Sequence, residues 1–351
     1  SALVVASILG VWQFHAGIVT VPPDAPAPRI AEFCRGVRCV LVDGPGRVPP
    51  EVAAPVAVLS PRPLEGRPRR TLQGRHMPSP DTTCMVVYTS GSTGQPKGVV
   101  VSHRSLWHSV LCYGESVSVS SSSRLLWKTP YQWRTAEYEL YPALAVGGTL
   151  YVAAEGAQRR LDYIIQAVDQ HGICALTTVP SVLIPLTEMM REAGAGCASL
   201  AHVSAVGEPL PSQVCQKFLG GPGPQLRNYY GLTETGMTTW ACRRIPEGPT
   251  APAGHPQPHV GIHLLQSDGS LAAPDGEGEI HFAGFMADRY LNDAELTAGR
   301  FVRGLPAAKG ACLFRSGDLG RRNARGELLV LGRIDRQIKL NGVRIELGEI
   351  E

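Results

Sequence analysis

The stretch that decides the fold is Tyr88-Thr-Ser-Gly-Ser-Thr-Gly-Gln-Pro-Lys-Gly98, set between two short apolar runs, Met85-Val86-Val87 and Val99-Val100-Val101. Apolar run, glycine and hydroxyl loop, apolar run reads as strand, loop, strand. The loop holds what a polyphosphate needs. Gly91, Gly94 and Gly98 let the backbone turn and bring N–H groups toward an anion. Thr89, Ser90, Ser92 and Thr93 add hydroxyl donors, and Lys97 adds a mobile positive charge. The same composition also suits a solvated Gly/Ser turn, so both readings stand at this point. It is not a Walker A loop, because Gln95-Pro96 separates Gly94 from Lys97 and Gly98 stands where the metal-binding hydroxyl belongs.

Working outward, the βα alternation is regular. Residues 1–25 read as a buried helix, a break at Gly17 and a strand over 18–21. Helix over 27–37 and strand over 39–42 follow, then a Pro-, Gly- and Arg-rich excursion over 43–80. Past the loop, Ser102 is a helix N-cap. Helices over 136–146, 159–171 and 181–194 alternate with strands over 149–153, 175–179 and 202–206, which predicts stacked parallel sheets covered by helices. Beyond about residue 240 the texture changes to short alternating runs, 260–265, 278–283 and 328–331, the pattern of a small antiparallel β unit or barrel.

The totals exclude several classes. With 351 residues, 44% hydrophobic content and 18% charge, the chain is a soluble globular protein. A net charge of +3 argues against a nucleic-acid binder. Nine cysteines without a C-x-x-C pair read as reduced thiols of a cytoplasmic protein and show no zinc spacing. The apolar residues 1–11 lack the basic flank of a signal peptide and are too short to span a bilayer, so no membrane association is expected. The chain opens without Met on this segment, as a piece of a longer polypeptide would.

Three further stretches carry chemistry. Asn228-Tyr-Tyr-Gly-Leu-Thr-Glu-Thr-Gly236 sets Thr233 and Glu234 in a glycine-bounded loop, either a Mg²⁺ station or a capped turn, with Tyr230 able to stack on a base. In Arg315-Ser-Gly-Asp318 the acid either accepts from a ribose diol or caps a turn. Gly332 to Glu351 alternates in charge and turns at Asn341-Gly342, as a hairpin would.

Together these strings resemble, in order, those of the adenylate-forming enzymes (acyl-CoA synthetases, luciferases and nonribosomal peptide synthetase adenylation domains). The likeness is greatest to the N-terminal core of a peptide synthetase adenylation domain. It runs from Ser7–Arg29, loosely, through Tyr88–Gly98, Asn228–Thr235, Gly278-Glu-Ile with Arg289-Tyr-Leu291, and Phe314–Asp318, to Gly332–Glu351. Leu232 departs from the family's Pro. The resemblance implies an α/β large lobe of two stacked subdomains, about 1–245, and a distorted β-barrel, about 246–332, with 333–351 as hinge and first strands of a C-terminal lobe. It implies ATP and Mg²⁺, a small carboxylic acid substrate, a peptidyl carrier protein with a phosphopantetheine arm, and neighbouring synthetase domains. Thr89–Lys97 would hold phosphates, and Thr233, Glu234 and Lys97 would be catalytic, with Glu234 on the metal. Tyr230 would stack on adenine, Asp318 and Arg333 would grip the ribose, and Asp335 would be the hinge. The family's bridging lysine lies in the C-terminal lobe beyond Glu351, so weak or no activity is expected of this piece alone.

Thr129-Pro-Tyr-Gln-Trp-Arg134-Thr-Ala-Glu-Tyr138-Glu lines up with the family segment whose Asp pairs with the substrate α-ammonium. Arg134 stands at that position. Two alternatives follow. Arg134 faces the substrate, which then lacks an α-ammonium and is a keto, hydroxy or dicarboxylic acid. Otherwise Arg134 turns away onto Glu137 or Glu139, or the register slips. The same alignment lines the acyl pocket with Thr135, Tyr138, Thr178, Ser204, Val206, Tyr229, Met237 and Thr238. Other functions compatible with the strings are a stand-alone acyl- or aryl-CoA synthetase and a catalytically inactive docking module.

Overall fold

A computed structural model describes residues 2–22, 24–42, 48–58, 78–90, 95–192, 197–219, 223–308, 310–335, 337–340 and 343–346. The expected turn at Asn341-Gly342 and most of the 43–80 excursion lie outside the described residues.

The apolar N-terminus is a helix, Ala2–Gln13, with Ile8 and Trp12 buried. Trp12 Nε1 donates to the Cys84 carbonyl at 2.8 Å, which ties the helix to the strand that enters the phosphate loop. That strand, Thr83–Thr89, pairs antiparallel with Lys97–Ser102. The sheet they form is therefore mixed, not parallel: Ile18–Val19 joins Thr83–Thr89 in parallel, and Arg289–Tyr290 joins Lys97–Ser102 antiparallel. The expectation of two parallel sheets fails here for a geometric reason. Residues 90–96 are too few for a crossover, which takes a dozen or more, so the chain can only fold back as a hairpin.

The second sheet has seven strands in the order His255–Pro256, Met237–Ala241, Gln225–Gly231, His202–Val206, Ala175–Thr178, Arg124–Trp127, Thr149–Val152. Its last five strands are parallel and its first two antiparallel. Connecting helices obey the capping signals. Ser102 caps His103–Ser116 by accepting from the Ser105 N–H. Thr135–Val146 and Leu161–His171 each end on a left-handed glycine, Gly147 and Gly172. The strands Gln225–Gly231 and Met237–Ala241 were not foreseen, because that segment reads as a loop motif.

The third sheet is a five-stranded antiparallel half-barrel. Val260–Leu265, Gly278–Gly284 and Leu313–Arg322 lie side by side, with Phe301–Val302 and Leu328–Arg333 both on Leu313–Arg322. Two bulges, at Glu279/His281 and Leu319/Gly320, bend it. The strand His255–Pro256, late in the chain, still belongs to the seven-stranded sheet.

Helices His103–Ser116 and Thr135–Val146 lie between the first two sheets. On one side Leu106, Val110 and Leu140 share a core with Met85, Val99, Ile280, Phe282 and Phe314, which joins the hairpin sheet to the half-barrel. On the other, Tyr113 and Tyr138 pack with Leu125, Val206 and Tyr229 of the seven-stranded sheet. Its far face carries a separate core built on Ile164, Leu183 and Leu226. Each fully buried Leu or Val of this kind contributes roughly 1.5–3 kcal/mol. All nine cysteines are free thiols. Among the described residues no helix is long and apolar enough to cross a membrane.

Candidate nucleotide and acyl site

The hairpin Gln225–Gly231/Met237–Ala241 carries the Leu232–Gly236 loop at its turn. Gly231 allows the turn to close, since a Cβ there would sit 2.8 Å from the Gly236 carbonyl. Tyr230, at the strand's end, donates its hydroxyl to Asp318 Oδ2 at 2.6 Å. Asp318 lies opposite Arg333 in the half-barrel register, and Arg333 Nη1 donates to Asp318 Oδ1 at 3.0 Å and to the Ser316 carbonyl at 2.9 Å. Arg333 then reaches on to Asp335, Nε to Oδ1 at 2.8 Å. Tyr230, Asp318, Arg333 and Asp335 thus form one chain of contacts. Burial, and next the Asp318 charge, hold the Tyr230 phenol well above its ordinary pKa, so it remains a donor. A cavity of about 250 Å³ adjoins this cluster, lined by Glu279, Arg300, Arg315, Gly317, Ile334 and Asp335.

Glu234 is fully buried. Its Oε1 accepts from the Tyr290 hydroxyl at 2.7 Å, and its carbonyl accepts from the Ala287 N–H at 2.8 Å. Tyr290 is itself the strand partner of Val99, two residues past Lys97. One residue therefore brings the acid of the loop to the strand of the phosphate hairpin. Lys97, Tyr290, Tyr88 and Gly98 share the wall of a cavity of about 160 Å³. Thr89 pairs with Lys97 across the hairpin, and its Oγ1 is buried without a hydrogen-bond partner at the start of the Gly/Ser-rich loop. Gly91, Ser92, Thr93 and Gly94 lie outside the described residues. Among the described residues no group of three or more His, Cys, Asp or Glu could hold a metal ion. The one hard carboxylate here, Glu234, oriented by Tyr290, is of the type that would hold a divalent cation such as Mg²⁺, whose other ligands phosphate oxygens would supply.

The geometry of Arg134 differs from that of a free substrate clasp. Its Nε lies 3.1 and 3.2 Å from the two Glu137 oxygens, Nη2 donates to Oε2 at 3.1 Å, and Nη1 donates to the Thr233 carbonyl at 2.7 Å. The fork is taken up by Glu137 and the loop. Of the two alternatives read from the sequence, this is the turned-away one. Burial works against both charges. It keeps the Glu137 carboxyl above its usual range, with Arg134 opposing.

Glu139, used to set the alignment, has a structural task. Its carboxylate accepts from Lys128 Nζ at 2.8 Å, from the Lys128 and Thr129 N–H groups at 3.0 and 2.7 Å, and from Thr129 Oγ1 at 2.8 Å. Tyr138, Ser204, Val206, Tyr229 and Met237, of the residues foreseen for the acyl pocket, gather around Tyr113, which sequence reasoning missed. The Tyr113 ring lies tilted against those of Tyr138 and Tyr229, with centroids 5.0 and 5.5 Å away, and shares its cluster with Val206 and Met237. Its hydroxyl bonds Thr177 at 2.7 Å and Ser204 at 3.2 Å, while Ser116 bonds Tyr229 at 2.5 Å. Thr178 is buried, and Thr238 donates to the Tyr230 carbonyl at 3.4 Å. Thr135 opens the helix Thr135–Val146, half-buried. The signal for Tyr113 was available in the helical spacing Leu106, Val110, Tyr113.

A family model described as AMP-binding enzyme matches residues 1–291. The chain belongs to the AMP-binding enzyme family. This AMP-binding enzyme is 36% identical over 275 residues to tyrocidine synthase 3 of Brevibacillus parabrevis, across 77% of the chain and 4% of that protein. It superposes with a TM-score of 0.88, at 21% identity, on NpsA-ThdA, an artificially fused adenylation–PCP di-domain peptide synthetase from Klebsiella oxytoca, across 100% of the chain and 70% of that structure. A TM-score of 0.86 at 25% identity relates it to holo-PA1221, which contains adenylation and PCP domains bound to a vinylsulfonamide inhibitor, across 100% and 61%. The AMP-binding enzyme spans 4 to 11% of the length of the first curated relatives it matches. Its fold is that of the large lobe of these adenylation domains.

Proposed function

We propose that this chain activates a carboxylic acid with ATP, as the core of a peptide synthetase adenylation domain. A carboxylate oxygen attacks the α-phosphorus, a C(O)–O–P bond forms, and the α–β phosphoanhydride breaks with its electron pair leaving on pyrophosphate. The phosphopantetheine thiol of a carrier protein then attacks the acyl carbon, a thioester C–S bond forms, the acyl C–O bond of the mixed anhydride breaks with its electron pair leaving on AMP, and the thiol proton is released to solvent. Catalysis of this kind rests on positioning and charge neutralisation. The observation that carries the proposal is the pair of linked clusters, Glu234–Tyr290 beside the Lys97 strand and Tyr230–Asp318–Arg333.

In this proposal Thr89, Ser90 and Lys97 bind phosphate, with Gly91, Ser92, Thr93 and Gly94 completing the loop. Thr233 contacts the α-phosphate. Glu234 holds Mg²⁺, which would neutralise phosphate charge. Asp318 and Arg333 hold the ribose, Tyr230 stacks on the base, and Asp335 is the hinge between a core of residues 1–332 and the segment 333–351. Within the core the α/β subdomains take about 1–245 together with the strands His255–Pro256 and Arg289–Tyr290, and the half-barrel takes the rest of about 246–332. Thr135, Tyr138, Thr178, Ser204, Val206, Tyr229, Met237 and Thr238 surround the acyl group.

The substrate proposed is a keto or hydroxy acid. Both Glu137 oxygens are spent on Arg134, so position 134 offers no carboxylate to an α-ammonium. The Arg134 fork is equally spent, which removes the case for a dicarboxylic acid. Substrate-dependent ATP–pyrophosphate exchange in the full-length protein tests this. Exchange with keto or hydroxy acids is the expected outcome. Turnover of ordinary α-amino acids overturns the substrate class, and exchange with no acid, despite ATP binding, overturns the activity.

A further inference from the structure

Three successive carbonyls of the Leu232–Gly236 loop are tied from outside it. Arg134 Nη1 donates to the Thr233 carbonyl at 2.7 Å and lies 3.5 Å from that of Thr235, and the Ala287 N–H donates to that of Glu234 at 2.8 Å. Fixing a carbonyl fixes its peptide plane, and with it the direction of the adjoining side chains. The side chains so directed are the Thr233 hydroxyl and the Glu234 carboxylate. Arg134 is itself gripped by Glu137, one helical turn on, and both are buried. A guanidinium presents its donors in a rigid fork, so one side chain can hold a carboxylate and two carbonyls at once.

We propose that Arg134, oriented by Glu137, is a positioning residue that holds the Thr233–Thr235 loop in the geometry that meets Mg·ATP. The proposal rests on the ATP-activating function above. It gives Arg134 a task on the nucleotide side, beside the missing carboxylate on the acyl side.

The test compares Arg134→Lys, Glu137→Gln and the double variant Arg134→Met/Glu137→Met with the parent in the full-length protein. Removing both charges together leaves no orphan ion, which is the gentlest way to delete a buried pair. The readouts are thermal melting, calorimetric affinity for Mg·ATP, and KM for Mg·ATP and for the acid. The expected result is a cooperative melt for the double variant and Mg·ATP affinity weaker by about tenfold or more, because small misplacements near the reacting atoms are costly. The acid KM should move less than about twofold, and Arg134→Lys should fall between. Parent-like Mg·ATP affinity in every folded variant overturns the proposal. So does a large change in acid KM with nucleotide affinity unchanged, which would return Arg134 to the acyl pocket. If the double variant does not fold, Arg134→Lys and Glu137→Gln decide by the same criteria. A parent protein that binds Mg·ATP but activates no acid overturns the activity alone and leaves the affinity comparison valid. A parent that does not bind Mg·ATP overturns both.

Discussion

Glu139 and Lys128 show how much a single buried acid can organise. The two side chains are 2% and 5% exposed, and Glu139 draws together the backbone of Lys128 and Thr129 while Lys128 Nζ also donates to the Thr177 carbonyl at 2.7 Å. Removing one partner of such a pair leaves a buried charge uncompensated, at a cost of about 3–5 kcal/mol. Glu139→Leu should therefore lower unfolding free energy by about that amount in urea denaturation, and adding Lys128→Met should restore part of it. Additive losses would show that the two residues do not act as a unit. The acid was visible in the sequence as an alignment mark, yet its partner was not. Nothing in a linear string distinguishes Lys128, deep in the protein, from a solvated lysine. Arg134 repeats the lesson with opposite sign. Its charge was legible, but its direction depended on Glu137, three residues on, and on carbonyls about a hundred residues away.

Elements were legible where their punctuation is local. The helices stopped by Gly147 and Gly172 and the helix begun by Ser102 could be read because cap residues act within one turn. The strands Gln225–Gly231 and Met237–Ala241 could not, since their alternation of burial breaks at Asn228–Tyr229 and at Met237–Thr238 and two-period patterning was the cue sought. Gly317 is an element-scale feature with a consequence. It sits at φ +74° in the strand Leu313–Arg322, and a Cβ there would lie 2.7 Å from Arg333 Nη2, 3.1 Å from Asp335 Oδ2 and 3.2 Å from Arg300 Nη1. Gly317→Ala should cost about 1–2 kcal/mol for the left-handed backbone alone. It should also push Arg333 off Asp335 and weaken ATP binding, which calorimetry reads directly. Unchanged stability and affinity would mean that the turn relaxes without disturbing the Tyr230–Asp318–Arg333 cluster.

At the scale of the molecule, the half-barrel is fastened to the seven-stranded sheet through Glu327. It accepts from Trp240 Nε1 at 3.0 Å and Asn323 Nδ2 at 2.7 Å and pairs with Arg244, while Gly254 and Leu328 exchange backbone bonds beside it. Burial alone would raise the Glu327 pKa, but the bonds from Arg244 and Asn323 and the Arg244 charge hold it below the usual carboxylate range. The stabilisation is then present above the unfolded-state pKa, near about 4.3, and is lost as pH falls through the lower folded-state value. Melting temperatures of the parent and Glu327→Gln should differ at pH 7 and converge once the pH has fallen through the lowered folded-state value. A gap that persists or widens in acid would rule this linkage out. Tyr290 joins distant parts in another way. Its strand partner is Val99, 191 positions earlier, so the edge of the phosphate hairpin is supplied by chain made much later. At roughly 5–20 residues per second, synthesis must continue for about 10–40 s after Val99 is joined before Tyr290 exists. During that interval the Lys97–Ser102 strand waits on the ribosome with an open edge, and the Glu234–Tyr290 cluster beside it is among the last parts of the molecule to be assembled.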